Sequence, residues 1–188
     1  MRPKTPEALR AQARTLADAA DAAARWFFRP EPGCLTDART ARNRARAWRE
    51  DAIILLKKSR GPAQKDAAEF SFSLREAVEN SVGAVSDAAQ WGVEADVELS
   101  SMCSHLRDGA KALTRATGTD GSKRLDGLIQ AKRFAASVER AFRELETNAR
   151  ESPYFIEYVK RSEIASRLSA AAEALQQACD AWAGSLGE

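Results

Sequence analysis

Six amphipathic stretches, each about 23 to 32 residues long and separated by proline- and glycine-bearing joints, run from end to end of this chain. No run shows the strict alternation of a half-buried strand, so the periodicity predicts an all-α bundle. The joints are RPEPG after the first stretch, KKSRGP after the second and ATGTDGS near the middle. At 188 residues with 44% apolar side chains, the chain is long enough to fill one core or two small, closely packed ones.

The first helix is expected to start near Thr5, with Pro6 at the first helical position, and to stop before Pro30. Its inward stripe is Leu9, Ala13, Leu16, Ala20, Ala23 and Phe27, ending in the aromatic cluster Trp26, Phe27, Phe28. That cluster either packs as core or anchors a partner. Thr36 or Asp37 is the expected cap of the second helix, whose stripe is Ala38, Ala41, Ala45, Trp48, Ala52 and Leu55 or Leu56. The third, about 63–91, carries Phe70, Leu74, Ala77, Val78, Val82, Val85 and Ala88 or Ala89 inward, with Gly92 as C-terminal cap.

The fourth helix, about 94–117, uses Val97, Leu99, Met102, Leu106, Ala110 and Leu113. The fifth, about 122–150, uses Leu125, Leu128, Ala131, Ala135, Val138, Phe142 and Leu145. Ser152 and Pro153 mark the start of the sixth, which runs to about residue 183 with Ile156, Val159, Ile164, Leu168, Ala172, Leu175, Cys179 and Trp182 inward. Alanine at so many inward positions lets helix axes approach closely. The expected architecture is an elongated six-helix bundle of two three-helix halves, about 1–92 and 93–188 by helix count, or 1–117 and 122–188 by the glycine-rich joint.

The charge balance narrows the partners. With 29 Lys+Arg against 27 Asp+Glu, a net charge of +2 supplies no field that makes nucleic acid or an anionic membrane the default partner. Cys34, Cys103 and Cys179 are widely spaced and odd in number, so neither a zinc site nor a disulfide framework is expected, and a reducing cytoplasm fits. Of the three, Cys34 in the first joint is the one expected to be exposed and oxidisable, while Cys179 falls on a buried stripe. The N-terminal MRPKTPEALRAQ lacks the apolar core of a signal peptide, and no uninterrupted apolar run approaches the ~18 residues of a spanning helix. Any membrane association is expected to run through a partner.

Catalytic constellations are missing. His105 is the single histidine, so a carboxylate-bridged metal enzyme, which needs two Glu-x-x-His elements, is ruled out. Ser100, Ser101 and Ser104 around Cys103 have no oxyanion loop beside them, and no catalytic residue is assigned. The densest local charge is the run Arg39, Arg42, Arg44, Arg46, Arg49, of which Arg39, Arg42, Arg46 and Arg49 share one side of a helix. This face is the candidate partner or anion site; the plainer alternative is a solvated face whose long stems cover apolar neighbours.

Three long helices, a joint and three more, closing on YFIEYVKRSEIASRLSAAAEALQQACDAW, resemble the PhoU-like phosphate-transport regulators, in the branch associated with Pit-type phosphate permeases. The likeness is carried by Val159, Lys160, Glu163, Ile164, Arg167 and Leu168 in the last helix, with Glu173 where an aspartate is usual, and by Leu74, Arg75, Glu76, Ala77, Val78 and Glu79 in the third. The resemblance implies a non-enzymatic regulator or accessory protein of inorganic phosphate transport, cytoplasmic at the inner face of the membrane, acting through protein–protein contact with a permease. Self-association into a homo-oligomer is also compatible with it. The alternative is a general helical adaptor or self-assembling bundle unrelated to phosphate.

The same resemblance implies metal-binding carboxylate pairs one helical turn apart, and these are degraded here. The corresponding positions are Arg42 and Arg46 in the second helix, Arg75 and Glu79 with adjacent Glu76 in the third, Ala135 and Glu139 in the fifth, and Ser169 and Glu173 in the sixth. The residual family-type carboxylates are thus Glu76, Glu79, Glu139 and Glu173, and no metal or cofactor is expected beyond weak divalent or iron binding. Their plainer reading is interhelical pairing with nearby arginines.

Overall fold

A computed structural model describes residues 5–56, 62–93, 96–118, 121–149 and 154–184. Six α-helices make up the described chain: α1 (Thr5–Phe28), α2 (Pro32–Leu56), α3 (Pro62–Trp91), α4 (Val97–Ala116), α5 (Ser122–Ala149) and α6 (Phe155–Gly184). No strand occurs among the described residues, and none of the helices there is long and apolar enough to cross a membrane.

The helices alternate in direction. Contacts join α1, α2 and α3 to one another, and α4, α5 and α6 to one another, while α1 packs on α4 and α3 packs on α6. The centre is therefore a ring of α1, α4, α6 and α3, with α2 laid against the α1/α3 side and α5 against the α4/α6 side. Cross-links set the register: Arg167 of α6 bonds Asp87 of α3, Phe70 of α3 meets Trp182 of α6 with ring centroids 5.1 Å apart, and Arg107 of α4 lies 3.9 Å from Asp21 of α1.

The core is continuous across this ring. Leu16, Phe27, Phe70, Leu74, Leu99, Met102, Leu106, Leu113, Ile164, Leu168 and Leu175 are its largest fully buried side chains, and alanines such as Ala13, Ala20, Ala23, Ala110 and Ala172 fill the spaces between. Small residues bring backbones together most closely between α4 and α5. A Cβ on Gly109 would meet Leu175 Cδ2 at 2.9 Å and Phe134 Cβ at 3.2 Å, and one on Gly127 would meet Ala116 Cβ at 2.9 Å.

Helix ends follow local chemistry. Gly92, at φ 68°, ends α3, and the Val93 N–H donates to the Ala88 carbonyl at 2.9 Å, the closing bond of a Schellman turn. Two expected starts move. α2 begins at Pro32 instead of at a Thr36 or Asp37 cap, because proline at the first helical position has its φ already set and Cys34 then continues the inward stripe of Ala38, Ala41 and Ala45. α4 begins at Val97 instead of Glu94, because the Asp96 side chain accepts from the Glu98 and Leu99 N–H groups.

Four stripe residues also depart from the expected core: Val97, Leu125, Ile156 and Val159 are exposed. Ala52, Leu55, Leu56 and Ala63 lie within helices, but their side chains fall outside the described residues, as do Glu94, Ser152 and Pro153 altogether.

Glycine positions test the packing directly. Gly127→Val forces a branched side chain against Ala116 and the Ala112 carbonyl and should cost about 1–3 kcal/mol in urea unfolding. Gly33→Ala, with nothing within 4 Å of the new Cβ and no left-handed backbone, should leave stability unchanged or raise it by about 0.4–1 kcal/mol.

Candidate functional site

One end of the bundle gathers the C-termini of α1 and α3 and the N-termini of α4 and α6, and Asp96 ties α1, α4 and α6 together. Its backbone N–H donates to the Phe27 carbonyl at 3.0 Å, its Oδ1 caps α4 at 2.9 and 3.0 Å, and its Oδ2 accepts from Arg161 Nε at 2.6 Å. Arg161 also donates to Glu98 Oε2 at 2.7 Å. Burial works to lower the Arg161 pKa, but the hydrogen bonds and charges of Asp96 and Glu98 outweigh it and hold the guanidinium pKa above its ordinary value.

The register places the start of α6 beyond its partners. Arg161 is level with Asp96 and Glu98 at the beginning of α4, and Arg167 is level with Asp87, only four residues before α3 ends at Trp91. Gln176 Nε2 donates to Glu139 Oε1 at 2.8 Å, so the end of α5 at Ala149 falls about level with Ser166, roughly three turns into α6. The first turns of α6 therefore overhang the described helices.

That overhang is apolar: Tyr154 is 73%, Phe155 73%, Ile156 70% and Val159 46% exposed, and Val97 (87%) and Phe28 (79%) add to the same end. The aromatic cluster of α1 is thus divided. Phe27 is core, Trp26 packs half-buried with its ring N–H 3.4 Å from the Val93 carbonyl, and Phe28 faces outward. Large exposed apolar side chains grouped at one place mark a contact surface, whereas single ones do not. Periodicity assigned Ile156, Val159 and Val97 to the core; the missing signal was helix register, which local sequence does not carry.

The arginine face of α2 is partly committed to neighbouring helices. Arg46 Nε donates to Glu79 Oε1 at 3.0 Å, and Arg44 lies 3.5 Å from Asp18 of α1. Arg39 is exposed, Arg42 is half-buried with its Nε unbonded among the described residues, and the Arg49 side chain falls outside them.

The four carboxylates implied by the resemblance are not brought to one point. Glu79 faces Arg46 of α2, and Glu139 accepts from Gln176 and lies 3.8 Å from Arg143. Glu76 lines an open groove between α3 and α6 with Asp66, Glu69 and Asp180, and Glu173 is exposed. Among the described residues α3 makes no contact with α5, and no three His, Cys, Asp or Glu side chains converge as a metal would require. Among the described residues these carboxylates form no shared cluster.

Cys34 is buried, which corrects the expectation that it is exposed and oxidisable: the early start of α2 turns it inward. Cys103 and Cys179 are buried as well, and His105 stacks on Phe134 with ring centroids 6.3 Å apart. Burial pushes the Cys103 thiol well up and the Cys179 thiol up to about 12, the latter also lowered by Lys132 and raised by Asp180.

No protein-family model matches the chain, and no curated protein matches it.

Two predictions follow from this geometry. Asp96→Ala should cost about 1–2 kcal/mol through loss of the α4 cap, and Asp96→Asn, which retains a capping oxygen, should cost less; equilibrium denaturation compares them. For the thiols, folded pKa values lie above the ordinary 9.0, so their contribution is whole below that pH and disappears as pH climbs through the folded values. The urea midpoint should therefore fall from pH 7 to about pH 10.5, and Cys103→Ser should flatten part of that fall.

Proposed function

We propose that the protein is a PhoU-like, non-enzymatic regulator or accessory protein of inorganic phosphate transport that acts by docking on the cytoplasmic face of a Pit-type permease. The observation that carries this reading is the apolar overhang at the start of α6, beside Phe28 and Val97. A surface of this kind gains free energy when covered by a complementary protein face. The six-helix order and the Val159–Leu168 frame support the choice of family.

That frame divides its work. Ile164 and Leu168 are core and Arg167 bonds Asp87, so they hold α6 on α3, while Val159 belongs to the overhang and Glu163 faces outward beside it. Docking regulates transport by differential affinity: a rigid end that fits one conformation of the permease better than another shifts the population toward it. The arginines of α2 take a secondary place, since Arg46 is already paired with Glu79.

A self-assembling bundle is the second reading, favoured by the same overhang, because a two-fold contact could bury it against its own copy. Phe155→Asp with Ile156→Asp separates the two. Both side chains are exposed, so circular dichroism and melting should be unchanged. Co-sedimentation with permease-containing proteoliposomes should be lost in the variant if docking is correct. A parent protein that sediments as a dimer, ignores the permease and becomes monomeric on substitution overturns docking in favour of self-assembly.

A further inference from the structure

Where the first half of α3 meets the end of α6, the surface between them is acidic. An open groove of about 520 Å³ is lined there by Asp66, Glu69, Ser73 and Glu76 of α3 and by Gln177 and Asp180 of α6, with Phe72 and Ala181 as its apolar walls. Four carboxylates border the groove, and no lysine, arginine or histidine lines it among the described residues. Two of the four have a cation reaching in from outside. Lys65, itself largely exposed, lies 3.7 Å from Glu69 one turn along the same helix, and Lys132 of α5 bonds Asp180. Asp66 and Glu76 make no ion pair or hydrogen bond through their side chains among the described residues.

Helix geometry strings these groups out in a line. Asp66, Glu69, Ser73 and Glu76 recur at steps of three and four, so they share one side of α3 and span about 15 Å of its axis. α6 runs the other way. A Cβ on Gly184 would lie 3.2 Å from Asp66 Oδ2, and Trp182 meets Phe70 with ring centroids 5.1 Å apart, which sets Asp180 level with the stretch between Glu69 and Glu76. The carboxylates therefore follow one another at intervals of about one helical turn, roughly 5 Å, and do not converge on a point.

Ser73, in the middle of this line, is the second and independent sign of a ligand. It is only 7% exposed and lines the groove, and its hydroxyl makes no hydrogen bond among the described residues. Elsewhere in the bundle the hydroxyls of Thr15, Ser81, Thr114 and Ser137 each turn back to the carbonyl four residues earlier. A buried hydroxyl without an internal partner costs free energy until something supplies the bond, and the groove is the side on which it can be supplied.

We propose that this groove binds a linear polyamine such as spermidine, laid along the α3/α6 seam. Ammonium groups separated by short methylene stems repeat on the scale of the carboxylate spacing, and each brings N–H donors and no acceptor to a lining of carboxylates, the Ser73 hydroxyl and the Gln177 amide oxygen. The methylenes pack on Phe72 and Ala181, as a lysine stem covers apolar surface. A compact divalent cation requires several oxygens at one place, which the line of carboxylates does not offer. The groove lies at the opposite end of α6 from Phe155 and Ile156 and does not rest on permease docking.

Isothermal titration of the full chain with spermidine, and separately with magnesium chloride, is the test. Spermidine should bind one per chain, weaken steeply with added salt and raise the melting temperature. Asp66→Asn and Glu76→Gln should each weaken binding by about fivefold or more and Ser73→Ala by about threefold, while Glu144→Gln, exposed on α5, should change nothing. Magnesium should compete only as any salt of equal ionic strength does. Absence of heat and of any melting shift with spermidine at low salt overturns the proposal, as does binding that Asp66→Asn and Glu76→Gln leave intact. Magnesium bound one per chain as tightly as spermidine, and lost in the same variants, overturns it in favour of a divalent-cation site. Asp66 and Glu76 hold no partner whose loss would loosen the fold, and unliganded melts confirm that each variant is folded.

Discussion

The packing of α3 on α6 and of α1 on α4 is the constraint from which the remaining features follow. These two antiparallel seams join one helical triad to the other, and their interior is lined by alanines interleaved with Leu16, Leu74, Leu106, Ile164 and Leu168. Small side chains at the seams let the axes approach, and close approach leaves little room to slide one helix along its neighbour. Register is then fixed by the larger side chains, by the Phe70–Trp182 contact and by the cross-links of Asp87 with Arg167 and of Asp96 with Arg161.

From that register come two surfaces of different character. At one end α6 starts before its partners do, and its opening turns have no helix among the described residues to pack against. Phe155, Ile156 and Val159 are exposed for that reason and not because their sequence is polar. Along the α1/α4 seam, the same alignment sets Arg14 against the turn of Lys111 and Arg115. Neither surface involves the centre of the bundle, where the thiols of Cys103 and Cys179 are sealed from solvent.

Much of the fold was legible from periodicity. The stripes of α1 and α3, from Leu9 to Phe27 and from Phe70 to Ala88, are buried residue for residue wherever the spacing of three and four placed them inward. Prediction failed at helix ends, where a stripe continues past the partner that would cover it, as at Val97, Leu125, Ile156 and Val159. It failed also at Cys34, because a loop reading of RPEPG overlooked proline's fitness for the first helical turn. The candidate surfaces were less legible still. A run of arginines in α2 is conspicuous in sequence, yet Arg46 is spoken for by Glu79, whereas Arg14 and Lys111 lie 97 positions apart and attract no notice until folded.

By itself the amino-acid sequence determined that this chain is helical, where its joints fall and which face of each helix seeks the core, because those properties depend on neighbours three and four residues away. Tertiary structure alone decided how far each helix extends past the next and which charges meet across a seam. Such pairings depend on the axial register of long helices, to which side chains separated by tens of residues contribute together. The apolar end of α6 and the meeting of Arg14 with Lys111 across the α1/α4 seam are products of that register, and local pattern contains neither of them.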